Sequence, residues 1–160
     1  MPLPPDFERE CMYTPDAWFL VDCDFLPEEQ RIVGTCDTTR IGALVEAQRV
    51  WPNHPKHLPG AVAIQITGTL GQLYATYVLG MPATEGWVGF GTHIHTARFR
   101  RLGEIGPPVR CEATLISKRT LRGTVFTRFR FLFTQDGEEC YLSEQTAAWV
   151  QSDHRGPLHS

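Results

Sequence analysis

Between Lys56 and Glu85 the chain carries no lysine, arginine or carboxylate. Within that run, HLPGAVAIQITGTLGQLYATYVLG, polar and apolar positions recur with helical spacing. Gln65, Thr69, Gln72 and Thr76 stand at i, i+4, i+7 and i+11, which places them on one stripe of a helix. Ile66, Leu70, Leu73 and Tyr77 fall on the neighbouring stripe. Pro59 suits the first turn, where its missing N–H costs nothing, and Gly80 before Met81-Pro82 is a stop signal. Gly68 and Gly71 each cost about 1 kcal/mol of helix propensity relative to alanine. A close approach by a sheet or a ligand would explain their presence.

On either side of this helix the period changes to two. Ala17–Leu26 and Arg31–Thr39 read as a hairpin around the turn PEEQ. Gly86–Arg101, Val109–Thr120, Gly123–Thr134 and Cys140–Val150 read as strands, the last two joined by an Asp136-Gly137 turn, a strong hairpin signal. Residues 40–51, RIGALVEAQRVW, fit a short helix or an irregular approach to the site. Residues 1–16 look like an extended arm, 17–150 like a single domain and 151–160 like a flexible tail. One helix that is apolar over most of its surface cannot face water on any broad side. The pattern predicts an α+β fold, with a curved antiparallel sheet wrapped around one long central helix. A second subunit, joined sheet edge to sheet edge, would cover the rest.

Composition narrows the classes. A chain of 160 residues suits one domain with its own core. A net charge of −3 points to neither nucleic acid nor an anionic membrane surface. The long uncharged run is interrupted by Gln65, Gln72 and several threonines and glycines and lacks basic flanks, so a buried helix is expected and not a membrane span. MPLPPDFERE is proline-rich and charged, unlike a secretory signal. Five scattered cysteines, Cys11, Cys23, Cys36, Cys111 and Cys140, without C-x-x-C spacing read as free thiols in a reducing cytosol.

The block VWPNHPKHLPGAVAIQ resembles the H-F-P-G-x-P-x-x-P-G block and following acid of the 3-hydroxyacyl-acyl-carrier-protein dehydratases, through Trp51, Pro52, Pro55, Pro59 and Gly60. Downstream, THIHTARFRRLGEIGPPVRCEATLI resembles that family's strand-loop-strand around ARFKRPVIPGD. The resemblance implies the hot-dog fold, a dimer, and an acyl chain carried as a thioester on phosphopantetheine or coenzyme A, with no bound cofactor. In that family a loop histidine is the base, and an acid on the helix of the partner subunit helps the hydroxyl leave. On the ungapped match Val50 takes the histidine's place and Gln65 the acid's. Glutamine can hold a water or a carbonyl but cannot give up a proton at neutral pH.

The candidate site follows from what remains. His54 and His57 lie in the loop before the helix, and a histidine can serve as base near neutrality; the plain alternative is two solvent-exposed loop residues. Pro59 and Gly60 open the helix, whose free N–H groups could polarise a thioester carbonyl. Gln65 would meet substrate or a catalytic water, or else satisfy a neighbouring backbone group, and Thr69 and Gln72 would line the pocket. Strand parity places His93 and His95 on the face of Phe99, toward the helix, where His93 could replace the base and His95 touch substrate. These histidines lack a carboxylate or cysteine set with ligand spacing, so no metal is expected. Glu46 or Asp37 could supply a carboxylate. Arg98, Arg100 and Arg101 form either a solvated face or a docking patch for an acyl carrier protein. Three readings stand: a dehydratase-like lyase, a hot-dog thioesterase, and a catalytically silent subunit pairing with a related chain.

Overall fold

In Thr124–Gln135 the odd positions Val125, Thr127, Phe129, Phe131, Phe133 and Gln135 are all buried, the alternation that makes a strand lie with one face on a core. The computed structural model describes residues 1–152. Its strands are β1 (Asp22–Leu26), β2 (Arg31–Cys36), β3 (His57–Leu58), β4 (Trp87–Phe99), β5 (Gly103–Glu104), β6 (Val109–Leu121), β7 (Thr124–Gln135) and β8 (Glu138–Gln151). Its helices are α1 (Phe7–Glu10), α2 (Ala43–Glu46) and α3 (Gly60–Tyr77). Six strands form one antiparallel sheet in the order β1-β2-β6-β7-β8-β4, and β3 and β5 pair separately.

α3 lies along the concave face of this sheet. Val62, Ile66, Leu70 and Leu73 are fully buried against Ile32, Val109, Cys111 and Phe133. The expected α+β architecture is present, with the hairpin β1-β2 and a tight turn at Asp136-Gly137, both residues left-handed at φ 52° and 78°. The ambiguous segment after β2 yields only the single turn of α2.

The first sixteen residues differ from the extended arm the sequence suggests. Phe7 on α1 is fully buried and packs on Trp18 at 4.8 Å between ring centroids. The buried Glu10 accepts from the Thr84 backbone N–H at 3.0 Å and from the Thr84 hydroxyl at 2.7 Å. Tyr77 donates to Asp6 at 2.8 Å. The segment is therefore clamped to the far end of α3, because it brings an aromatic and two acids that find partners there. At the other terminus β8 continues to Gln151, and Ser152 bonds back to Gly86. The tail expected over 151–160 otherwise lies outside the described residues.

β4 sits at the edge of the sheet and among the described residues pairs with β8 alone. Its 13 residues leave one row of backbone groups unpaired, and Phe90, Ile94 and Phe99 on it are about half exposed. No helix of the described residues is long and apolar enough to cross a membrane.

Candidate active site

Not every side of α3 is covered. Ala61, Ile64 and Gly68 are exposed, with Gln65 and Gln72 partly so, and this strip faces β4 across a cavity of about 490 Å³. Gly68 and Gly71 line it from the helix and Gly91 from the strand. A Cβ at any of the three would meet no atom of another element among the described residues within 4 Å. Of the two explanations the sequence left open for the helical glycines, a close approach of the sheet does not apply; they border open space in the cavity. Its floor is aromatic, built from Phe129 and Phe131 of β7, Trp149 of β8 and Phe90 of β4. Cys11, Met12 and Tyr13 of the docked N-terminal segment also line it.

The polar stripe reaches this cavity. Gln65, Thr69 and Gln72 all line it. The Gln65 amide nitrogen donates to the Ala17 carbonyl at 3.3 Å, so one end of the side chain satisfies a backbone group. Its carbonyl oxygen has no donor among the described residues. The buried Thr69 hydroxyl donates to the Trp18 carbonyl at 3.1 Å, and the Gln72 amide donates to Thr76 at 3.2 Å.

A second amide enters from the sheet. Gln145 on β8 stands on the core face, in parity with Tyr141, Ser143 and Trp149. Its amide nitrogen lies 3.2 Å from the Thr67 hydroxyl, 3.1 Å from Ser143 and 3.3 Å from Tyr141. Burial raises the pKa of the Tyr141 hydroxyl, keeping it protonated. Neither Gln145 nor Thr67 belongs to a sequence motif. The one signal available was the parity of Gln145 with Tyr141 and Trp149 along β8.

The histidines are distributed differently from expectation. His93 and His95 stack at 5.6 Å on the outer face of the sheet, where the His95 Nε2 lies 2.6 Å from the Thr146 hydroxyl and His93 pairs in register with Thr146. Parity counting fails because β4 carries register shifts between Gly91 and His93 and between Ile94 and Thr96. Ile94 faces inward opposite Gln145, and Phe99 inward onto Tyr141, while both imidazoles turn out. His93 belongs to the rim of the cavity and also lines a shallow groove on the outer face beside His95.

His54 is exposed and stacks on His57 at 5.2 Å. Gln48 holds this loop: its side chain accepts from the His57 N–H at 2.9 Å and donates to the His57 carbonyl at 2.8 Å. His57 and Gly60 line a separate cavity of about 180 Å³ at the start of α3, with Phe99, Cys140 and Tyr141. Within one chain the loop histidines and the glutamine stripe do not share a cavity. A Cβ on Gly60 would come within 3.1 Å of the Phe99 ring, so this glycine makes room for a side chain of the protein. Pro59 is the N-cap and accepts from the Val62 and Ala63 N–H groups.

The other charged candidates are engaged elsewhere. Asp37 caps a short turn, accepting from the Thr39 N–H and hydroxyl, and the hydroxyl bond first of all holds its carboxyl below the usual range. Glu46 is exposed at the end of α2 and does not line either cavity. Arg98 and Arg100 share Glu139, and Arg101 pairs with Glu138.

Comparison with solved structures places this architecture. A thioesterase from Haemophilus influenzae superposes with a TM-score of 0.59 at 19% identity, over 94% of this chain and 92% of that one. The dehydratase heterocomplex ApeI:P from Xenorhabdus doucetiae gives 0.63 at 14% identity, over 96% and 93%. A mutant thioesterase from Pseudomonas aeruginosa gives 0.58 at 14% identity, over 91% and 90%. No family model and no curated protein sequence matches the chain. The chain has the hot-dog fold, as its sequence pattern implied.

Proposed function

We propose that this protein binds an acyl chain carried as a thioester, on phosphopantetheine or coenzyme A, and takes part in dehydration of its 3-hydroxyacyl form. The observation that carries this reading is the cavity between α3 and β4, aromatic along its floor and supplied with amide groups by Gln65 and Gln145. An apolar slot with a few convergent polar groups suits a hydrocarbon chain bearing one oxygen function. In the reaction a base removes the proton at C2, the C3–O bond breaks, and the hydroxyl leaves with a proton as water, giving the 2-enoyl thioester.

The edge strand β4 points to a second subunit, either another copy or a related hot-dog chain. A long unpaired edge with half-exposed Phe90 and Ile94 is the kind that natural proteins cover. Two-fold pairing there would bring the loop of one subunit, with His54 and His57, toward the glutamine strip of the other. We assign His57 as the base, since it stands beside the first turn of α3 and is fixed through Gln48. The compartment that fits five free thiols is the reducing cytosol.

A second reading is favoured by the lining of the larger cavity, which among the described residues includes no carboxylate, lysine or arginine. The chain would then be the acyl-binding member of a two-chain dehydratase, with the proton-transfer groups on its partner. The neighbouring dehydratase is itself a heterocomplex.

Incubation with a 3-hydroxyacyl thioester, following enoyl absorbance and free thiol together, separates the readings. Enoyl product without thiol release supports dehydration. Thiol release identifies a thioesterase and overturns the proposal. No enoyl product from the chain alone, but product on adding a related hot-dog subunit, supports the two-chain form.

A further inference from the structure

The two glutamines of the cavity are each partly exposed and share which end of the amide is left over. An amide presents two N–H protons and one carbonyl oxygen, and buried polar groups are normally all partnered. Gln145 commits its nitrogen to a cluster of three hydroxyl oxygens, those of Thr67, Ser143 and Tyr141, within 3.1–3.3 Å. Its carbonyl oxygen lies 3.4 Å from the Thr67 hydroxyl. That hydroxyl has a single proton, already given to the Ile64 carbonyl at 2.6 Å. The Gln145 oxygen, on the wall of the cavity, is therefore left among the described residues with only this long contact to a hydroxyl whose proton is better placed elsewhere. Gln65 repeats the pattern, its nitrogen held by Ala17 and its oxygen left over.

We propose that Gln145 is a specificity-determining residue: its carbonyl oxygen accepts the hydroxyl proton of a 3-hydroxyacyl chain. The inference rests on the acyl-thioester reading above and adds to it a discrimination. A saturated chain would cover the Gln145 oxygen without supplying a donor, whereas a hydroxylated chain supplies one. The hydroxyls around the Gln145 nitrogen act as positioning groups. Thr67, Ser143 and Tyr141 are nearly or fully buried, so they hold the amide plane while its oxygen faces the ligand.

The test is equilibrium binding of two thioether analogues of coenzyme A, one with a 3-hydroxyalkyl chain and one with the matching saturated alkyl chain. Without the thioester carbonyl C2 is not acidic and no acyl–sulfur bond can be hydrolysed, so both ligands are inert. The wild-type protein should bind the hydroxylated analogue about tenfold or more tightly. Gln145→Leu should abolish that preference while still binding the saturated chain. Gln145→Glu, which keeps an oxygen acceptor and controls for folding, should retain a preference. Equal binding of the two analogues by the wild type, or a preference that survives Gln145→Leu, overturns the inference and leaves the acyl-thioester reading standing. Failure of both analogues to bind overturns that reading and the inference with it.

Discussion

At Gly89 an added Cβ would overlap the ring of Trp149, whose indole N–H is tied to the Thr127 hydroxyl at 2.9 Å. The ring cannot move aside without breaking that bond, so Gly89→Ala is expected to destabilise the fold by about 1–3 kcal/mol, read as a lower denaturation midpoint. Gly91, two residues on, faces open space, and Gly91→Ala should leave the midpoint unchanged within about 0.5 kcal/mol. Gln65→Leu removes the bond to Ala17 and should lower stability by about 1 kcal/mol. Its larger effect falls on the activity, since it also removes an acceptor from the cavity. Single replacement of His54, His57 and His93 by alanine checks the base. His57→Ala should lower the dehydration rate about a hundredfold or more, with the other two near the wild-type rate. Full activity in His57→Ala would show that the base is another group.

At the scale of the element, α3 trades stability for space. Gly68 and Gly71 weaken the helix, and nothing among the described residues fills the room they leave. Gly68→Ala and Gly71→Ala should each raise stability by about 0.5–1 kcal/mol, because the helix loses its most flexible residues and the new methyl meets no atom. The same methyls project into the cavity, so on the proposed reading affinity for a long acyl chain should fall while short chains are spared. Thermal midpoints and binding across a chain-length series would show the two effects moving in opposite directions. If stability rises with no change in chain-length preference, the acyl chain does not run along this face of α3.

The whole molecule exposes an edge and hides thiols. Pairing through β4 predicts that the chain sediments as a dimer and that Ile94→Lys, a charge on the half-exposed strand, shifts it toward monomer. Burial first, then Asp37, raises the Cys36 thiol from 9.0 to about 12, and burial raises Cys23 to about 11. Folded pKa values above the unfolded ones mean that the thiols leave stability unchanged below pH 9.0, where both states stay protonated. Above it the unfolded chain ionises first, so stability should fall progressively until the folded thiols titrate, near 12 for Cys36. Denaturation midpoints should decline through this alkaline window, and Cys36→Val should flatten part of the decline.

Much of the architecture is written in local periodicity. The 3.6-residue spacing of Gln65, Thr69 and Gln72, the alternation through β7, and Asp136-Gly137 each depend on residues a few positions apart, so the helix, the strands and their order could be read without coordinates. The α+β layout followed, because one apolar helix needs a sheet to cover it. What the sequence could not decide are facts of distant contact. Two register shifts in β4 turn His93 and His95 away from the helix, and a bulge is set by how neighbouring strands pair, not by parity along one of them. Phe99 explains Gly60 from 39 positions away, and Thr67 meets Gln145 across 78. The docking of α1 and the emptiness beside Gly68 and Gly71 likewise appear only when the chain is closed on itself, since a cavity belongs to the packing of several elements and to no segment of sequence.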